Sequence, residues 1–124
     1  MIVKEIEWRV HVLAKREANA RRVFQRLIAA LGQPAEERSV ERYWKIPEEY
    51  VLQFATPLEA ATPPEAVFQT MLAAQRIGSG WIVTGPDGYD DGSRRFEMVC
   101  AANASGRFEV PGVVWAHVML KIHG

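Results

Sequence analysis

The sequence predicts an α+β two-layer sandwich: a mainly antiparallel sheet with two helices on one face. Three observations carry that expectation. Several segments alternate apolar and polar residues with a period of two, two others repeat their apolar residues at helical spacing, and the elements follow as strand, helix, strand, strand, helix, strand, strand, strand. The 124 residues fit one domain, 1–124, long enough to bury a single core.

The first strand is "EIEWRVHVL", residues 5–13, in which Ile6, Trp8, Val10 and Val12 share one face and Glu7, Arg9, His11 and Leu13 the other. From Glu17 to Leu31 the period changes to helical, with Phe24, Leu27, Ile28 and Leu31 beside Ala20 and Val23, opposite Arg22, Gln25 and Arg26. Gly32 stands where helices end, and Pro34 follows. Two β-prone runs, 40–46 and 50–56, are then split by Pro47, Glu48 and Glu49.

The second helix is announced by "TPPE". Thr62 can cap it, Pro63 suits the first helical position, and Glu65 completes a capping box. Val67, Phe68, Met71, Leu72 and Ala74 form its apolar stripe, and Gly78 is expected to close it. Runs 80–85 and 95–102 follow, then a connecting loop "NASGRFEVPG". In the closing strand Val114, Ala116, Val118, Leu120 and Ile122 face inward and Val113, Trp115, His117, Met119 and Lys121 outward. The first six elements have the ferredoxin-like split βαβ order, extended by two strands.

Composition narrows the function classes. Fifteen Lys and Arg balance fifteen Asp and Glu, so no net field draws nucleic acid or an anionic membrane surface. Cys100 is alone, in register with Phe96 and Met98, which suits a buried thiol, a reducing compartment and no disulfide. Glu5 and Glu7 interrupt the N-terminal apolar residues and no stretch reaches the length of a membrane span, so the expectation is a soluble, cytoplasmic protein.

Among candidate chemistries, "GPDGYDDGSRR", residues 85–95, places Asp87, Asp90 and Asp91 among glycines. Read as a calcium loop from Asp87 it puts Tyr89 at position 3 and Met98 at position 12, so essential carboxylates are missing. It reads as a turn between strands, with Pro86 at a turn's second position. Its glycines lack phosphate-loop spacing. No metal and no cofactor are called for, and no serine has a nucleophile's context.

The polar face of the first and last strands is the more informative feature. If those strands are neighbours, His11 and His117 sit together with Glu7, Arg9, Trp115 and Lys121 on an open sheet face, as solvated polar residues or as a pocket for acid–base or ligand chemistry. Trp115 turns away from the aliphatic set of its own strand, and an aromatic with Arg and His neighbours has the composition of a binding face. Trp8 and Trp81 are expected in the core.

The closing pattern "GWIVTG", "FEMVC" and "VPGVVWAHVMLKI", after a leading strand and an "LIAALG" helix, resembles the small single-domain immunity proteins that bacteria encode beside polymorphic toxins. The resemblance covers mainly residues 78–122. It implies a protein without an active site that binds and occludes a toxin domain; many that neutralise nucleases are acidic, and this chain departs from them in being neutral. On that reading Trp115, His117, Arg9 and His11, with Asp87, Asp90 and Asp91 of the loop, form the partner-binding surface. The alternative is a small-molecule binder or enzyme using a sheet-face pocket near His11 and His117, and an open face also admits a homodimer.

Overall fold

The computed structural model describes residues 3–88 and 92–123. In chain order the elements are β1 (Val3–Leu13), α1 (Glu17–Leu31), β2 (Glu36–Arg42), β3 (Glu49–Ala60), α2 (Pro63–Gln75), β4 (Gly78–Ser79), β5 (Ile82–Gly88), β6 (Arg94–Ala101), β7 (Arg107–Phe108) and β8 (Val113–Ile122). Six strands form one antiparallel sheet in the order β2-β3-β1-β8-β6-β5, and β4 pairs with β7 apart from it. With both helices packed on one side, the α+β sandwich is as the sequence predicts.

The topology differs in one respect. The segment β8-β1-β3-β2 is the split βαβ order, but its fourth place belongs to the last strand. The β5–β6 hairpin is an insertion ahead of β8 and lies outside it, rather than an extension appended to the end. "NASGRFEVPG" is not purely a loop, since it contributes β7.

Between sheet and helices, Ile6, Trp8, Val10 and Val12 of β1 meet Leu52 and Phe54 of β3, Val118 and Leu120 of β8, and Phe24 and Leu27 of α1, all nearly fully buried. Trp8 lies parallel to Phe54 at 5.9 Å and Phe24 leans on Phe54 at 5.0 Å. The Trp8 indole N–H donates to the Thr56 hydroxyl at 2.9 Å, so this buried donor keeps a partner. Gly32 ends α1 in the left-handed region at φ 68°, which a Cβ would disfavour.

The stripe expected on α2 faces the core only in part: Ala74 is fully buried, and Val67 and Met71 pack half-buried against the core. Ala66, Thr70 and Ala74 are buried, whereas Phe68 and Leu72 are 61% and 46% exposed. Small side chains bring the helix close to the sheet, and Thr70 returns its hydroxyl proton to the Ala66 carbonyl at 2.8 Å. The start of α2 is as predicted: the Thr62 hydroxyl accepts from the Glu65 amide at 3.3 Å, and the Glu65 carboxylate accepts from the Ala61 amide at 3.0 Å. Its end is not, because the helix closes at Arg76 and Gly78 already belongs to β4.

Two further corrections concern strands. Pro86 lies inside β5 at an irregularity between Thr84 and Asp87, not at the corner of a turn. In β8 the alternation breaks: His11 pairs with Trp115 but Val12 pairs with Val113, so Val114 is an extra residue, a β-bulge. Val113 therefore enters the core and Val114 does not, the reverse of the simple alternation. Cys100 is buried as expected; its thiol donates to the Ser79 carbonyl at 3.2 Å, and burial pushes its pKa up. Trp81 is only half-buried, its indole N–H held by the Gly78 carbonyl at 2.9 Å. Among the described residues no helix is long and apolar enough to cross a membrane.

Candidate functional site

The sheet face opposite the helices carries the polar residues of β1. Cross-strand pairing puts His11 between Val51 and Trp115, Arg9 between Gln53 and His117, and Glu7 between Ala55 and Met119. The 43–48 connection between β2 and β3 stands beside this face at the Leu13 end of β1. It replaces part of the expected 40–46 strand, because β2 begins at Glu36 and stops at Arg42. A pocket of about 630 Å³ results, lined by Arg9, His11, Tyr43, Ile46, Glu49, Ala102, Asn103, Val114 and Trp115.

His11 forms the floor and is not solvated, as an open face would suggest, but only 7% exposed. Tyr43 and Trp115 stand edgewise to its ring at 4.7 and 4.9 Å. The Arg9 Nε–H donates to His11 Nε2 at 3.3 Å, which makes that nitrogen the acceptor; the ring proton then sits on Nδ1 and is donated to Glu49 Oε1 at 3.1 Å. The imidazole is thus neutral, with both nitrogens used. Burial holds its pKa below the usual histidine value; the Glu49 hydrogen bond opposes that shift and the Arg9 charge adds to it.

His117 occupies the same face without joining this arrangement. Its Nε2 is bonded to Glu97 Oε1 at 3.1 Å, and its ring is stacked on that of Trp115 at 6.2 Å. Further along, Lys121 Nζ lies 3.7 Å from Glu7 Oε2. His11 and His117 each have their own carboxylate, and among the described residues no three His, Cys, Asp or Glu side chains come together.

Of the residues singled out in the sequence, Arg9, His11 and Trp115 meet in the pocket and His117 borders it. Asp87 does not: it pairs with Arg95, which pairs with Lys121, six positions along β8 from Trp115 and so about 20 Å away. Asp90 and Asp91 lie outside the described residues. Sequence reasoning missed Tyr43, Ile46, Glu49, Ala102, Asn103 and Val114. The available signal was "YWKIP", an apolar cluster ahead of a proline, which reads as a strand when it is a hairpin connection. Glu49 is the partner of Leu13 and borders the His11–Val51 pair.

Compared with known proteins, the chain matches no family model, and no curated protein or solved structure is significantly similar to it.

Proposed function

We propose that the protein binds a small molecule in the sheet-face pocket, with Tyr43, Val114 and Trp115 as walls and His11 as floor. One observation carries this reading: a nearly buried histidine, tied to a cation on one side and a carboxylate on the other, sits at the bottom of a largely apolar concavity on a sheet face that no helix covers. Ligand sites combine such walls with a few convergent polar groups and a perturbed titratable residue.

The test is a fragment screen by thermal unfolding with Ala102→Trp as control, since Ala102 is exposed at the pocket and an indole there fills it without touching the core. A fragment present at a hundredfold excess over its Kd is expected to stabilise the wild type by about 2.7 kcal/mol. Ala102→Trp should lose that gain. Equal stabilisation of both forms, or none of either, would remove the reading.

A protein partner is the second reading, and the toxin domain suggested by the immunity-protein resemblance is one such partner. The observation that favours it is the apolar rim: Trp44, Leu13 and Ile46 are 80%, 53% and 41% exposed on the Tyr43 side. Interfaces concentrate their energy in aromatic residues of this kind.

A further inference from the structure

We propose that the ligand is a small aromatic carboxylate whose anionic group is taken by the Arg9 guanidinium; the inference rests on the small-molecule reading and names its ligand class. The pocket lining contains two charged side chains, Arg9 and Glu49. Glu49 is already engaged by the His11 N–H. Arg9 uses only its Nε, on His11, and its two terminal nitrogens have no hydrogen bond and no ion pair among the described residues.

Three arginines elsewhere in the chain set the contrast. Arg21 is paired with Glu17 and Glu37, Arg38 with Glu5 and Glu36, and Arg42 is spent on two backbone carbonyls and the Tyr50 hydroxyl. Arg9, an exposed residue that lines the concavity, keeps its fork free.

That fork selects for geometry as well as charge. Two parallel N–H donors match the two oxygens of a carboxylate, and such a pair is stronger and more directional than a single neutral hydrogen bond. The chain Glu49 to His11 to Arg9 fixes Nε, so the guanidinium is oriented before the ligand arrives. The carboxylate of Glu49 lies across the imidazole from Arg9, because it binds Nδ1 while Arg9 binds Nε2, and this keeps the two anions apart. The remaining walls, Tyr43, Trp115, Val114 and Ile46, offer ring and aliphatic surface to an apolar body. A cation would meet Arg9 with like charge, and a neutral apolar molecule would cover the fork without satisfying it.

The experiment is an NMR titration of the intact chain with benzoate and 2-naphthoate, each against its amide, with benzylamine as the cation. The Trp115 indole and Arg9 Nε signals are the readouts, and Trp115→Phe assigns the first. Both carboxylates are expected to shift these signals saturably and to bind at least tenfold more tightly than their amides. Arg9→Met should abolish that preference while the chain still unfolds in one cooperative transition, and Arg9→Lys, which keeps the charge and loses the fork, should retain part of it. Amides or benzylamine binding as well as the carboxylates, or a preference that survives Arg9→Met, overturns the inference and leaves the pocket reading standing. Silence toward every probe overturns both.

Discussion

Along β1, Trp8, Val10 and Val12 lie under the helices with exposures of 2% or less, while Arg9 and His11, one residue over, face the side no helix covers. The two faces of the sheet are nevertheless finished on different principles. The covered face is closed by apolar area, with Trp8, Phe54 and Phe24 as its largest contacts and the buried donors Trp8 and Thr70 satisfied by Thr56 and the Ala66 carbonyl. The open face buries His11 almost as well by surrounding it with rings and matching its nitrogens to Arg9 and Glu49. Area decides stability on one side. On the other, polar matching decides which donors stay unused, and among the described residues the terminal nitrogens of Arg9 do.

Perturbations on the two faces should therefore separate. The largest loss is expected for Phe54→Ala, about 3–5 kcal/mol in a denaturant titration, since it removes the ring that both Trp8 and Phe24 contact. Next come the two sides of α2. Ala74→Leu forces extra methylenes into a fully buried position and should cost about 1–3 kcal/mol, whereas Phe68→Ser on the outward side should stay within about 0.5 kcal/mol. The reverse ranking would show that the helix presents its large residues inward.

The open face has a signature in pH. Folding lowers the His11 pKa from 6.5, so in the interval below 6.5 the unfolded chain binds the proton more readily. The contribution of His11 to stability is complete above 6.5 and falls as the pH drops toward the folded-state value. An NMR titration should place the His11 midpoint below 6.5, raise it in Arg9→Gln and lower it further in Glu49→Gln. Unchanged midpoints in both variants would mean that burial alone sets the shift.

Most of the architecture was legible because burial on one face writes a period into the strands. Ile6 to Val12 of β1 and Ala116 to Ile122 of β8 show it, and α1 shows the helical counterpart from Ala20 to Leu31. Where burial is absent the signal fails. Strand β2 reads "EERSVER" because it is an edge whose residues are exposed, and charge there discourages pairing with other chains. Helix α2 misled in part for the opposite reason: close approach needed Ala66, Thr70 and Ala74, so Phe68 and Leu72 point outward while Val67 and Met71 pack half-buried at the edge of the core. At the candidate site the alternation identified Arg9, His11 and Trp115. Tyr43, Ile46 and Glu49 come from a neighbouring hairpin, and local periodicity carries no information about which loop a tertiary fold brings alongside.

The extra residue in β8 separates the cavity from the scaffold. Because Val114 and Trp115 are consecutive yet both border the hollow, while Val113 drops among the aliphatics beneath, a chain shorter by that one valine would keep the residue pairs of β8 with β1 and β6, lose the hydrogen bond from the Ala102 amide to the Val114 carbonyl, and present a shallower surface above His11. Acquiring or losing such a hollow in this architecture is thus a matter of a single codon's length rather than of redesigning the interior.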